Sequence, residues 1–299
     1  MTKRRLTAYS ILTFVSLLWG IASPVIKYTL NFIPPYSFLF WRFLITSIIF
    51  LPFFLFYLKK YPLHLNEVPI LTLLGFLGTP LTLILLFVGY TKTTSMDGVL
   101  ISSTAPIFIT IGGAIFLKEK VTFKERVGLL IAVLGSLITI SQPLLEGGFL
   151  KSQNLFGNLL VFGSVISWTA FTLLSKFYFR KHHPFVITAF CFFVGLIVIF
   201  PLAILEKGFQ IFNFQFSIFN FSAFMGILYM SIFSSVIAYT LYEYGLSLIE
   251  ASEATLFAYL QPIFAAPLSL LWLGEKITFP FLVGAIVITC GIFISGVLK

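Results

Sequence analysis

Leu117-Lys118-Glu119-Lys120-Val121-Thr122-Phe123 returns later in the chain as Leu273-Gly274-Glu275-Lys276-Ile277-Thr278-Phe279. The spacing from Leu117 to Leu273 is 156 residues, and Pro106-Ile107-Phe108 returns as Pro262-Ile263-Phe264 at the same interval. Gly89 with Gly245, Gly128 with Gly284 and Gly135 with Gly291 keep that register. Trp19 and Lys27 match Trp168 and Lys176 at a shorter interval of 149, which places an insertion in the later half, near residues 206–220. A register held this long marks an internal duplication. The halves are expected to be 1–143 and 154–299.

The medium in which the duplicated unit folds follows from composition. The chain is 59% hydrophobic and 10% charged, against roughly 25% charged in soluble domains. A membrane-spanning helix needs about 20 predominantly apolar residues. Ten blocks meet that length, at 8–28, 36–58, 69–91, 95–117, 125–142, 155–177, 184–205, 221–247, 252–273 and 278–298. A cleaved signal peptide is the alternative reading of the first block. The block's length, Pro24 and the recurrence of its pattern inside the chain argue against that reading.

With the amino terminus inside, twelve of the 19 Lys and Arg residues fall on the cytoplasmic side, which favours both termini in the cytoplasm of a cell-membrane protein. Five spans per half is an odd number, so the second half begins on the opposite face from the first. The expected architecture is an all-α integral membrane protein with ten transmembrane helices in two inverted five-helix repeats around a central cavity. Inverted halves give a bundle two related packings, one open to each side, which suits a small-molecule carrier. Duplicated helices forming a merely stable bundle are the plainer alternative.

Other function classes lack their signatures. The net charge of +9 is accounted for by the cytoplasmic joints, so nucleic-acid binding is not needed to explain it. The chain has no GxxxxGK[ST] loop and no HExxH, and its two cysteines lie in apolar blocks. No cofactor or metal is expected. His64, His182 and His183 lie in cytoplasmic joints, where His182-His183 reads as a solvated basic loop. The rivals to a carrier are a membrane enzyme acting on lipid-linked substrates and a channel or scaffold component.

Within the spans, Pro106 and Pro262 remove a donor and free the carbonyls of Ser102 and Ala258, either toward a substrate path or into a plain kink. Pro80 frees the carbonyl of Phe76 without a counterpart in the later half. Ionisable groups in hydrocarbon usually face the bundle interior. Arg42, about 9 Å inside its span at 1.5 Å per residue, either anchors the outer interface by pairing or binds an anionic substrate. Glu243 either pairs with Lys176 or exchanges a proton or another coupling ion. Lys27 and Lys176 occupy matching places near span ends, where snorkelling is the simple account. Asp97 and Glu253 open matching spans and read as caps. Trp19, Tyr90, Trp168, Tyr239, Tyr242 and Gln261 are the aromatic and amide candidates for substrate contact.

These motifs resemble the drug/metabolite transporter superfamily, and within it the ten-helix family built from the EamA repeat. The residues that carry the resemblance are Leu18-Trp19-Gly20 with Lys27, Trp41-Arg42-Phe43, Ala105-Pro106 through Glu119, and Gln261-Pro262 through Lys276 with the paired glycines. The resemblance covers nearly the whole chain. It implies transport of metabolites, amino acids or drug-like compounds, often export, without ATP hydrolysis by the chain. It also implies a cavity lined mainly by the first, third, fourth, sixth, eighth and ninth spans. The second copy departs from it, having Trp168-Thr169-Ala170 and Phe190-Cys191, so neither the Trp-Gly step nor Arg42 is repeated.

Overall fold

A computed structural model describes residues 3–118, 153–178, 183–208, 221–276 and 278–295, with scattered positions between 122 and 138. The described residues are all-helical, and eight of their helices are long and apolar enough to cross a membrane. In chain order they are α1 (Lys3–Thr29), α2 (Pro35–Lys60), α3 (Leu65–Lys92), α4 (Ser95–Phe116), α5 (Gln153–Tyr178), α6 (Pro184–Lys207), α7 (Phe221–Leu248) and α8 (residues 251–273). A shorter apolar helix, α9, covers Phe279–Ser295. The fifth expected span, 125–142, lies largely outside the described residues, so α5 is the sixth expected span. The expected insertion near 206–220 also falls mostly outside them.

Local chemistry sets the helix ends. Pro35 opens α2 at its first turn, where its missing N–H costs nothing. The Thr94 side chain accepts from Asp97 N at the start of α4, while Gly274 takes the left-handed conformation, φ 62°, that closes α8. His183 departs from the solvated loop expected of it. Its Nδ1 accepts from Phe185 N at the start of α6, and its ring lies 4.6 Å from that of Tyr57. Burial and the charge of Lys60 lower its pKa.

Two helices change pitch inside the membrane. α3 contains a π-helical stretch at Leu77–Leu81 and α7 one at Tyr229–Ile237. Shifted by 156 residues, the first falls on 233–237, within the second. Pro80 therefore has a structural counterpart that lacks proline. α4 breaks at Ser103–Thr104, and Pro106 stands in the first turn of the restarted helix; α8 passes through a 3-10 stretch, Leu256–Leu260, before Gln261-Pro262 opens its second segment. Both prolines begin new segments, so these helices are broken and not merely kinked.

Packing recurs in pairs across the halves. α1 lies against α7 and α8, as α5 lies against α3 and α4, and α2 lies against α6. Gly89 brings α3 onto α5 and Gly245 brings α7 onto α1: a Cβ at Gly89 would stand 2.8 Å from Val161 Cγ2, and one at Gly245 2.9 Å from Leu12 Cδ2. Outward positions such as Ile48, Phe56, Ile197 and Leu271 are exposed apolar side chains, as hydrocarbon requires.

Helix ends within the bundle are closed by side chains from distant helices. Lys27 Nζ donates to the carbonyls of Tyr90 (2.8 Å) and Thr93 (2.6 Å) at the end of α3. Lys176 Nζ donates to the carbonyls of Leu246 and Ile249 at the end of α7. The donors are 149 residues apart and the acceptors 156, the two intervals of the sequence repeat. The Glu275 carboxylate accepts from Ser95 N (2.7 Å), Met96 N (3.0 Å) and Ser95 Oγ (2.8 Å) at the start of α4. Glu206 does the same for Ser37 N (2.7 Å) and Ser37 Oγ (2.8 Å) at the start of α2. At the other end of α1, Arg4 donates to the Ser247 carbonyl, while Glu253 binds Tyr9 and Arg5 and so ties α8 to α1. The end of α5 thus lies beside the start of α1, and these two repeat-related helices run in opposite directions.

Two sets of variants test this packing. Lys27→Met and Lys176→Met each leave helix-end carbonyls without a charged donor, and each is expected to lower stability by about 1.5–3 kcal/mol, measured by unfolding in detergent. A Cβ at Gly20 would lie 2.7 Å from Gln261 O, whereas one at Gly163 meets only Leu85 Cδ1, at 3.5 Å. Gly20→Ala is expected to cost about 1–3 kcal/mol by overpacking, with Gly163→Ala unchanged in the same assay.

Candidate functional site

A cavity of about 130 Å³ lies at the centre of the bundle. Its wall comes from α1, α3, α4, α5, α7 and α8, the helices implied by the resemblance, with one side chain from α2, Arg42. The broken helices reach it where they break: Ser102 and Ala105 of α4, and Ala258 and Gln261 of α8, all line it. Pro106 is buried outside this wall, and Pro262 instead borders a separate apolar crevice between α4, α8 and α9. The prolines set the breaks, and the residues before them form the surface.

Four aromatic rings make one side of the cavity. Trp19 stands with its ring centroid 5.5 Å from Trp168, 5.4 Å from Tyr239 and 5.1 Å from Tyr242. Trp168 in turn is 5.6 Å from Tyr239 and 5.3 Å from Tyr242. These tilted and edge-on arrangements are the ones that ring quadrupoles favour. Trp19 Nε1 donates to the Ser234 carbonyl (3.1 Å), which holds the indole in place. Tyr90 closes another side and donates to Ser23 Oγ (2.8 Å). Trp19 and Trp168 are repeat mates, but Tyr239 and Tyr242 correspond to Leu83 and Leu86, which also line the cavity. The cavity is therefore aromatic on one side and aliphatic on the other.

Arg42 is the only charged side chain among the described residues of the wall. It is 1% exposed; its Nε donates to Ser235 Oγ (2.7 Å), and its guanidinium carbon lies 5.6 Å from the Phe87 ring centroid. Nη1 has no hydrogen-bond partner among the described residues. The interfacial anchor considered from the sequence needs an acidic partner, and no described carboxylate lies within 4.0 Å of Arg42.

Glu243 is fully buried, and neither carboxylate oxygen accepts a hydrogen bond. Lys176 is close enough to act on it electrostatically but spends its ammonium on the Leu246 and Ile249 carbonyls. Glu243 stands outside the cavity wall, within electrostatic reach of Cys191, Tyr239 and Tyr242. By the two repeat intervals Arg42 is the mate of Cys191, and Phe87 the mate of Glu243. Arg42 thus meets Phe87 in one copy, and the matching positions in the other hold Cys191 and Glu243, so a cation stands in one copy and a carboxylate in the other. Lys27 and Lys176 also stand outside the wall, as the helix-end donors described above.

Sequence reasoning passed over the serines. Ser16 bonds the Phe257 carbonyl (2.6 Å), Ser23 receives Tyr90, and Ser235 holds Arg42. The spacing of Ser235, Tyr239 and Glu243 at intervals of four was the available signal for the last, since it aligns them on one helix face.

Comparison with known proteins agrees with this architecture. The model of the EamA-like transporter family matches residues 6–141 and again 155–297. An uncharacterized transporter of Archaeoglobus fulgidus is 28% identical over 276 residues, covering 92% of this chain and 94% of its own length. Two proteins of Bacillus subtilis (strain 168), the uncharacterized transporters YetK and YdfC, are 28% and 30% identical, covering 100% and 92% of this chain and 89% and 86% of their own. A solved crystal structure shares the fold with a TM-score of 0.72 at 16% identity, covering 97% of this chain and 96% of that one. Long apolar helices and these relatives together make this a multi-pass membrane protein with a general role in transport. The chain belongs to the EamA-like transporter family.

Proposed function

We propose that the protein is a secondary carrier of small metabolites, amino acids or drug-like compounds, an exporter in the cell membrane with both termini in the cytoplasm. The observation that carries this reading is the cavity between the halves, walled by side chains of both and bordered by two broken helices. Broken helices supply backbone groups to a solute at membrane depth, where an unbroken helix has none to spare. The repeats 1–143 and 154–299 act as inverted five-helix units. Exchanging their conformations opens the cavity first to one face and then to the other.

Coupling is assigned to Glu243. A buried carboxylate without a hydrogen bond is costly while ionised, so its protonation state is tied to the packing around it. The groups that face it are Lys176, Cys191, Tyr239 and Tyr242. Tyr239 and Tyr242 line the cavity and stand within electrostatic reach of Glu243, so a change at Glu243 reaches the substrate through them.

Two measurements test this reading. The purified protein is screened by thermal shift against a metabolite library, since a solute that binds the folded state raises its apparent stability. Hits then go into counterflow assays in liposomes, where trans-stimulated exchange is expected and its absence for every hit would exclude a carrier. For coupling, Glu243→Gln is expected to make transport indifferent to an imposed pH gradient; a variant that keeps the wild-type gradient dependence removes Glu243 from that role.

A further inference from the structure

We infer that the cavity selects a small organic monoanion, a carboxylate on an apolar body about one aromatic ring in size, with Arg42 as its anchor. This deepens the carrier reading and rests on it for the transport step, though binding can be measured separately.

Charge decides the sign of the solute. Arg42 is buried, lines the cavity, and has one guanidinium nitrogen without a partner among the described residues. No described acidic group stands within ion-pair distance of it, and Glu243 is not part of the wall. A cation in hydrocarbon without a counter-charge is strongly disfavoured, so the described wall favours a solute that brings one negative charge. Guanidinium is also the side chain best shaped for a carboxylate, which it meets with parallel N–H donors.

The remaining wall decides the rest of the molecule. A box of Trp19, Trp168, Tyr239 and Tyr242 is itself a familiar receptor for ammonium groups, so a cation is the competing solute. Arg42 stands within electrostatic reach of Tyr239, however, and repels a cation from the rings. A zwitterion carries no net charge to offset Arg42, and the described residues of the wall supply no carboxylate for its ammonium. The rings instead take an apolar or aromatic body. Size follows from volume: a protein cavity of about 150 Å³ takes a benzene-sized molecule, and this one measures about 130 Å³.

The test uses four ring compounds of nearly equal size on the full-length protein in detergent: benzoate, benzyl alcohol, benzylamine and phenylalanine. Binding is followed by quenching of tryptophan fluorescence, corrected for absorption by the ligand, and by thermal shift. Benzoate is expected to stabilise the wild type and to bind at least tenfold more tightly than the other three. Arg42→Gln is expected to lose the preference for benzoate over benzyl alcohol, while Arg42→Lys, which keeps the charge but not the fork, retains part of it. Equal or tighter binding of benzyl alcohol, benzylamine or phenylalanine to the wild type overturns the inference, as does no benzoate binding at all. Neither result depends on a variant folding. Counterflow separates the two readings: exchange of benzylamine without benzoate leaves the carrier standing and removes the anion, whereas benzoate binding without exchange of any solute does the reverse.

Discussion

A polypeptide in hydrocarbon has no water to satisfy its backbone, and each helix end carries several unpaired groups. The bundle meets that constraint with long side chains sent from one helix to the end of another. Lys27 and Lys176 close the carboxyl ends of α3 and α7, while Glu275 and Glu206 close the amino ends of α4 and α2. The signs follow the helix dipole, cations at carbonyl ends and carboxylates at amide ends. Because each of these contacts crosses a large sequence distance, the same bonds that satisfy the backbone also lock the helices together. The repeat's intervals are the spacing of the two lysine caps. Glu275, the acid of the later Leu-x-Glu-Lys stretch, is a helix cap supplied across the bundle.

The interior turns on the places where this regularity stops. α3 and α7 change pitch, and α4 and α8 break and restart, so four of the helices around the cavity are irregular where the solute would lie. Pitch changes of this kind occur often at functional sites because they release backbone groups and rotate side chains off the regular helical path. Here they carry Ser235 to Arg42 and aim Tyr239 and Tyr242 at the tryptophans. The two copies of the fold then diverge in content. Leucine in one copy is tyrosine in the other, and the positions of Arg42 and Phe87 are held by Cys191 and Glu243. A symmetric scaffold with asymmetric contents lets one copy hold a solute's charge while the other holds a titratable group.

Much of this was open to reading in the amino-acid sequence. Hydrocarbon demands helices of nearly fixed length, so composition and block length dictated the helices, and the repeat interval dictated that the parts come in pairs. Trp19 and Trp168 stood out in the sequence because the repeat keeps both mid-span, and they line the cavity with Tyr90, Tyr239, Tyr242 and Gln261. What only the tertiary structure decided was the partner of each charge. Lys27 and Lys176 turned from the interface to carbonyls, Arg42 lost its supposed anchor, Glu243 stood outside the cavity wall, and Pro106 and Pro262 set breaks without lining the site. The physical reason is reach. A lysine or arginine spans several ångströms from its backbone, and the group it meets belongs to a helix far away in sequence, so periodicity gives its position along the span and packing alone gives its contact.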